Sequence, residues 1–400
     1  MNETKKPAIR FREFSNEWEK HKFNDILEKY EDPVATPHGG YERLGVRSHA
    51  KGTFHSYVAP GAELETAQMH RVAAGKMLFN ITFAWEHAVA ITNEMDVGKL
   101  VSHRFPQFTF APEMNPNFFR YVIADEKFRY HLWLSSPGGA GRNRVLNIPE
   151  MLQYQTYLPK KPEQDLLYDW FISLDKLIEE HESKLEKLQA LKASMLEKMF
   201  PKDGADVPEV RFKEFTGTWE RYKFSELYAS VTQKNDLTYG INKNITVATM
   251  QYRPDIQVTD VEYLRTYNVL KLGDIAFEGH QSKEFRYGRF VENDIGDGIV
   301  SHIFAVFRPK MNYDLKFWKY AINNEQVMRR VLVRCTKAST MMNDLVIKDF
   351  LGESILVPDI KEQKKIGTAL ADIDRLISLY QQQLDKLQSI KKALLEKMFV

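Results

Sequence analysis

Two short stretches and two residue types could do chemistry. Asn115-Pro116-Asn117-Phe118 approximates the Asn-Pro-Pro-aromatic loop with which adenine-methylating sites hold a flipped base. The second proline is missing, no glycine-rich cofactor loop lies upstream, and a later counterpart reads Asp314-Leu315-Lys316-Phe317. A helix start accounts for the motif better. "PDIKEQK" (residues 358–364) holds the Pro-Asp and Glu-x-Lys pieces of a nuclease metal site, but too close together. Its counterpart reads "PKKPEQD", so capping and first-turn acidity explain it better. The eleven histidines show no His-Glu-x-x-His spacing, and neither phosphate-cradling glycine motif is present. Cys335, the only cysteine, follows "RRVLVR" and is expected at a buried helix end. It allows no disulfide within the chain and no thiolate metal cluster. By elimination the residues point to a chain that does no chemistry of its own and binds neither metal nor cofactor.

The bulk properties agree with a soluble protein in a reducing compartment. The 400 residues suffice for two or three domains, with 43% apolar and 28% charged residues. Net charge is only +2, so a nucleic-acid partner would have to meet a local stripe of Lys and Arg. "MNETKKPAIRF" lacks the apolar core of a signal peptide, and no run reaches membrane-spanning length. A cytosolic, non-membrane protein is expected.

What must position any functional residue is a duplicated frame. "PAIRFREFSNEWEKHKF" (residues 7–23) recurs as "PEVRFKEFTGTWERYKF" (residues 208–224), matching Arg10 with Arg211, Phe14 with Phe215 and Trp18 with Trp219. "LEKLQALKASMLEKMF" (residues 185–200) recurs as "LDKLQSIKKALLEKMF" (residues 384–399). The same spacing joins Pro159, Glu163 and Gln164 to Pro358, Glu362 and Gln363, and Phe118 and Tyr121 to Phe317 and Tyr320. The chain is two copies of one unit of about 200 residues, settled before any other reading. The copies diverge in their middles: residues 36–56 have no counterpart in residues 231–251.

Each copy ends in a long helix, unbroken over residues 162–199 and 360–398 apart from Gly367, with a proline just before. The apolar seam is Leu167, Phe171, Leu174, Ile178, Leu185, Leu188, Leu191 and Met195 in the first helix. In the second it is Ile366, Leu370, Ile373, Ile377, Leu384, Leu387, Ile390 and Leu394, with His181 and Tyr380 in the polar slots. Such a stripe must be buried against a partner helix. At 1.5 Å per residue each rod spans roughly 57 Å, and an antiparallel pairing with its twin is the simplest closure. The remaining segments read as mixed α/β heads. Strands open at glycine turns at Gly75 and Gly273, and helical spacing covers residues 115–134 and 314–333. The fold class is α+β: two similar mixed heads separated by two long helices packed as an antiparallel coiled coil. The segments are residues 1–158, 159–200, 201–357 and 358–400.

Two heads on a rigid spacer suit a two-part linear target, and double-stranded DNA is the obvious one. Base edges are read by Arg, Lys, Asn, Gln, Ser or Thr on loops that enter a groove. The first head offers His38, Arg43, Arg47, His49, Lys51 and His55, then Arg142, Asn143 and Arg144 after "PGGAG". The second offers Lys234, Lys243, Asn244, Arg253, His280, Gln281, Lys283, Arg286, Arg289, Lys337 and Ser339. "GRNR" and "QSKEFRYGR" are suggestive as groups; singly, any of these side chains could be an ordinary solvated charge. The other reading is a non-catalytic coiled-coil scaffold for proteins, without direct DNA readout.

The whole chain resembles the specificity subunit of type I restriction–modification enzymes. The resemblance rests on the duplicated head-plus-helix unit, the "LPKKPEQ" and "VPDIKEQ" helix entrances, the paired "EKMF" helix ends, and Phe14-x-x-x-Trp18 and Phe215-x-x-x-Trp219 before the heads. It implies that each head is a target recognition domain reading one half of a split, asymmetric site. It implies that the helices set the unread spacer and dock two methyltransferase (modification) subunits that bind S-adenosylmethionine. Two restriction/translocase subunits using ATP and Mg would join for restriction. No transferable code connects the variable regions to the bases they read.

Overall fold

The computed structural model describes residues 6–63, 68–138, 144–202, 204–253, 261–338 and 342–399. Two compact units are present, residues 1–180 with 384–400, and residues 181–383. Each holds one head and a portion of both long helices, so the rods are not a unit of their own.

The first unit begins with β1 (Glu19–Lys22), the helical turn α1 (Phe23–Ile26), β2 (Leu27–Tyr30), β3 (Pro33–Val34), β4 (Tyr41–Val46) and β5 (Thr53–Val58). It continues with β6 (Met69–Arg71), β7 (Met77–Phe79), β8 (Val89–Ile91), β9 (Leu100–Ser102) and β10 (Gln107–Phe110). Then come α2 (Phe119–Val122), α3 (Glu126–Leu134), α4 (Ile148–Met151), β11 (Gln155–Leu158) and the long α5 (Lys161–Lys198). An antiparallel sheet of order β2-β10-β7-β8 stands beside a five-stranded sheet of order β3-β6-β9-β4-β5, and β1 pairs with β11. Strand periodicity sorts the core. Met77 and Phe79 of β7 face the aromatic core that holds Phe23, Phe119 and Phe128, whereas Leu78 between them faces Leu44, Ala90 and Val101 on the other side. A central strand buried on both faces must be apolar at every position, as Met-Leu-Phe is.

The second unit repeats this plan with β12 (Glu220–Lys223), α6 (Phe224–Leu227), β13 (Tyr228–Val231), β14 (Ile245–Thr246), β15 (Gln251–Tyr252) and β16 (Asn268–Leu270). Next are β17 (Ile275–Glu278), β18 (Arg289–Glu292), β19 (Gly298–Val300), β20 (Val306–Pro309), α7 (Leu315–Ala321) and α8 (Glu325–Cys335). It ends with β21 (Thr336–Ala338), β22 (Asn343–Leu345), α9 (Ile347–Gly352), β23 (Ser354–Val357) and α10 (Ile360–Met398). The four-stranded sheet β13-β20-β17-β18 and the pair β12-β23 copy their counterparts strand for strand. The divergent middle does not: two-stranded β14-β15 and β16-β19 stand in place of the five-stranded sheet. Gly75 (φ 67°) and Gly273 (φ 86°) make the left-handed turns into β7 and β17. Helical spacing across residues 115–134 and 314–333 is realised as two helices each time. Asp125 and Asn324 restart the second helix by accepting from the amides of Lys127 (3.2 Å) and Gln326 (3.0 Å).

The doubled phrases have a physical purpose. Arg10 makes a bidentate pair with buried Glu163 (2.7 and 2.6 Å), and Arg211 makes one with Glu362 (2.7 and 2.7 Å). Gln164 Oε1 accepts from the Asn115 amide (2.9 Å) while its Nε2 donates to the Pro159 carbonyl (2.8 Å). Gln363 does the same with Asp314 and Pro358 (3.2 and 3.0 Å). Each Pro-to-Gln entrance thus ties a long helix to its head. The Phe at the end of the opposite helix then plugs the aromatic box: Phe399 lies against Trp18 (6.2 Å) and Phe118 (5.5 Å), and Phe200 against Trp219 (6.1 Å) and Phe317 (5.7 Å).

Within each unit the helix portions run antiparallel. In the first, Phe171 meets Phe399 and Asp175 pairs with Lys391. In the second, His181 meets Tyr380 (5.5 Å) and Lys192 pairs with Asp374 (2.7 Å). Leu167, Phe171, Leu174, Ile178, Leu185, Ile366, Leu370, Ile373 and Leu384 are buried, and Leu188, Ile377 and Leu387 half-buried. The seam differs from its sequence reading at Leu191 and Ile390, which are 48% and 38% exposed. At about 100° per residue they have rotated some 120° from Leu185 and Leu384. Lys192 and Lys391 take the inward positions instead, and their ammonium groups reach the carboxylates of Asp374 and Asp175. Those aspartates also accept from Tyr320 (2.7 Å) and Tyr121 (3.3 Å), which fastens α7 and α2 to the seam.

Candidate nucleic-acid interface

The frame presents different surfaces from its two divergent middles. In the first head, β4 and β5 form a six-residue-per-strand hairpin at the edge of the five-stranded sheet. Arg43 and Arg47 project from it, exposed. Arg43 Nε donates to Ser56 Oγ (3.3 Å), and Arg47 donates to the Thr53 carbonyl with its guanidinium 5.5 Å from the Phe54 ring centre. The tip is bent by left-handed His49 (φ 61°) and Ala50 (φ 50°), whose amides donate to the carbonyls of Glu86 (3.0 Å) and His87 (2.8 Å). Such strain in non-glycine residues persists only where the surroundings hold it, and here those two bonds do. Lys51 is exposed at the tip, and Tyr57, 66% exposed, extends the surface along β5. His38 is exposed in the turn before β4.

Other sequence candidates in this head lie elsewhere or are committed. His55 Nε2 lies 2.8 Å from buried Asp96, which also accepts from Thr53 Oγ1 (3.0 Å), so His55 braces the hairpin. Arg144 lies over the Trp133 ring (4.9 Å), itself stacked on Tyr130 (6.0 Å), a basic and aromatic patch against α3. Arg142 and Asn143 fall outside the described residues.

In the second head, the loop between β17 and β18 carries Gln281, Lys283 and Arg286, all exposed. Asn343 of β22 holds that loop: its amide donates to the Gly279 carbonyl (2.8 Å) and its Nδ2 to the Arg286 carbonyl (3.1 Å). Gln281 Nε2 reaches Asn343 Oδ1 (3.5 Å), and His280 bridges Met342. Lys337 is exposed on β21, the strand paired with β22, so these four side chains share one rigid platform. Ser339 lies outside the described residues. Arg289 is occupied: it donates to Glu278 (2.8 Å) and to the Ala248 carbonyl (2.8 Å). Lys234 likewise holds the Thr266 carbonyl (3.0 Å) and Asn268 Oδ1 (2.7 Å). Lys243 lies over Tyr252 (4.6 Å), Asn244 is buried, and Arg253 is exposed with its amide on the Asn244 carbonyl (2.8 Å). These three form a second group, on the segment leading into and out of β14-β15.

The motifs that imitate catalysis are structural. Asn115 Oδ1 accepts from the Asn117 amide (2.9 Å) and its Nδ2 donates to Asp165 (2.8 Å); Asp359 caps α10 through the amides of Lys361 (2.8 Å) and Glu362 (3.2 Å). Cys335 is fully buried at the end of α8, and burial pushes its thiol up to about 12. Burial also lowers Lys76, over the Tyr30 ring, and His87, which reaches the Ile123 carbonyl (2.6 Å). Among the described residues no three His, Cys, Asp or Glu side chains converge as metal ligands would, and no helix is long and apolar enough to cross a membrane. Two residues whose buried polar atoms are unpartnered among the described residues escaped the sequence reading: Arg120 of α2 and Glu292 of β18. Nothing in their local sequence marks them; only comparison of the two heads in register does.

No protein-family model matches the chain. Solved structures do. An S subunit of the type I restriction–modification system from M. genitalium aligns over 99% of both chains at 13% identity, with a TM-score of 0.56. A chain from a study of complex assembly and conformational transition of the type I R-M system aligns over 96% of this chain and 97% of that one, at 13% identity and a TM-score of 0.50. The HsdS subunit from Thermoanaerobacter tengcongensis covers 96% of both at 14% identity and a TM-score of 0.48. Over its whole length, this chain has the fold of a type I restriction–modification S subunit.

Proposed function

We propose that this chain is the DNA-recognition subunit of a type I restriction–modification complex. Each head reads one half of a bipartite, asymmetric double-stranded site. The long helices set the unread spacer and dock two methyltransferase subunits, and through them two restriction/translocase subunits. The chain itself is not an enzyme and binds no cofactor; S-adenosylmethionine, ATP and Mg belong to its partners. Arg43, Arg47, His49 and Lys51 in the first head and Gln281, Lys283, Arg286 and Lys337 in the second are the side chains best placed to meet bases and phosphates.

One observation carries this reading. The sheet β2-β10-β7-β8 and its copy β13-β20-β17-β18 keep the same strand order, and the β6–β9 pair recurs as β16–β19, while the elements added beside them differ: β3, β4 and β5 in the first head, β14-β15 and β21-β22 in the second. A constant frame with two unlike basic loop platforms suits two readers of unlike half-sites, because phosphate contacts position and base contacts specify. The test is the affinity of the partner-bound complex for duplex DNA as a function of salt. Log K should fall linearly with log salt, at about 0.9 per phosphate neutralised. A flat response would favour a protein-interaction scaffold instead.

A further inference from the structure

A cavity of about 240 Å³ lies under the tip of the β4–β5 hairpin, walled by Ala50, Lys51, Gly52 and Thr53 and, opposite, by Arg120 of α2 and Ile123 just after it. Ala90, Ile91 and Asn93 close it, and none of its lining residues is acidic. The Nε of Arg120 is buried without a hydrogen-bond partner among the described residues. Buried guanidinium donors ordinarily find an acceptor, so this one points to a group that arrives from outside.

The other head shows how the same position is treated when nothing arrives. Phe118 and Tyr121 match Phe317 and Tyr320, and the two tyrosines reach Asp175 and Asp374, so Arg120 corresponds to Lys319. Lys319 donates to Asp294 (2.6 Å). The sheet register makes Asp294 the counterpart of Asn93: the Thr92 amide donates to the Lys76 carbonyl (2.9 Å) as the Asn293 amide does to Asp274 (2.8 Å). Asn93 is neutral, and its Oδ1 already accepts from the Met95 amide (2.8 Å). The second head therefore neutralises its own cation, and the first leaves Arg120 open beside a second cation, Lys51.

We propose that this cleft takes a phosphate of the DNA backbone, gripped by Arg120 and Lys51. The inference rests on the first head reading DNA. A phosphodiester supplies the anionic acceptor oxygens that a guanidinium and an ammonium both favour. Held there, it fixes how deeply Arg43, Arg47 and His49 enter the adjacent groove. The second head has no such clamp, so the two halves of the site are gripped differently.

The experiment measures affinity against salt for the full-length chain in its assembled complex, on a duplex carrying the site that the complex methylates. Arg120→Gln should make the log–log slope shallower by about one unit and weaken matched and mismatched duplexes alike. Asn93→Asp, which rebuilds the acid partner seen in the other head while leaving Arg120 in place, should do the same. Lys319→Gln should leave the slope unchanged. A steep wild-type slope that neither Arg120→Gln nor Asn93→Asp alters would overturn the clamp and leave DNA reading intact. A wild-type affinity indifferent to salt would remove DNA reading itself. Inorganic phosphate separates the small-anion source: thermal stabilisation by phosphate that Arg120→Gln abolishes, with the DNA slope unmoved, would assign the cleft to a free anion and overturn the proposal.

Discussion

Glu362→Ala will lower the local stability of the second unit by about 3–5 kcal/mol. Glu362 is fully buried in the first turn of α10, and its two oxygens hold Arg211, whose side chain is 14% exposed. That pair raises the Arg211 guanidinium above its ordinary range, chiefly through the hydrogen bonds from Glu362. Removing the carboxylate strands a desolvated cation whose Nε and Nη2 lose their acceptors, with only the Gly217 carbonyl left to Nη1, and the segment around Arg211 loses its hold on the helix entrance. Loss of both partners behaves differently, because the desolvation cost disappears with them. Arg211→Met with Glu362→Leu should recover most of the loss. Hydrogen exchange of the β12 amides and of the α10 amides before Leu384 in the full chain reads this unit separately from the first. A single-variant loss under about 1 kcal/mol would mean that the pair is an ornament of the surface.

The second large effect is a pH dependence located at Glu292. The residue is 2% exposed on β18, and neither carboxyl oxygen has a partner of normal geometry among the described residues; the nearby Tyr313 hydroxyl donates to the Gly273 carbonyl (3.0 Å). Among the described residues the buried Tyr228 hydroxyl also finds no partner. The sheet register shows what is unusual. Glu292 faces Ile275 across the β17–β18 ladder, where Ile91 faces Met77 in the first head, so a carboxyl stands in an isoleucine site. Burial, reinforced by Asp294 and Asp314, pushes it up to about 10 from 4.5. The folded chain therefore keeps a proton that the unfolded chain releases near pH 4.5. Stability from this group is fully present below that pH and falls by about 1.4 kcal/mol per pH unit until the folded group itself ionises. Glu292→Gln has no such slope. Measured by exchange of the β17 and β18 amides, its advantage over wild type should grow by about 3–4 kcal/mol between pH 5 and pH 8. Parallel curves for the two proteins would show that the carboxyl ionises normally.

Much of the frame was legible because repetition exposes what each phrase must do. Arg10 with Glu163, Gln164, and Phe200 with Trp219 each recur at their partners' spacing, and the structure uses them as ion pair, entrance clamp and aromatic plug. The helices were legible from their stripe, yet the apolarity of Leu191 and Ile390 points inward while their angle on the helix turns them out. Lys192 and Lys391 occupy those places through their long apolar stems and distant charges. The recognition surface was legible only as composition. Sequence cannot distinguish Arg47, projecting from a hairpin, from Arg289, occupied by Glu278, because the distinction lies in a partner brought from another strand. Arg120 and Glu292 were invisible for a related reason. Each is ordinary in its own neighbourhood and anomalous only beside its counterpart, Lys319 with its acid or Ile91 with its apolar neighbours.

Exchange of one head is the most direct measurement. Residues 23–158 are replaced by the corresponding head of another chain of this fold, keeping Trp18 and Phe399, and methylated adenines in host DNA are mapped by long-read sequencing. One half of the methylated site should change to that of the donor, with the other half untouched. A change in both halves, or in neither, would contradict two independent readers on a shared frame.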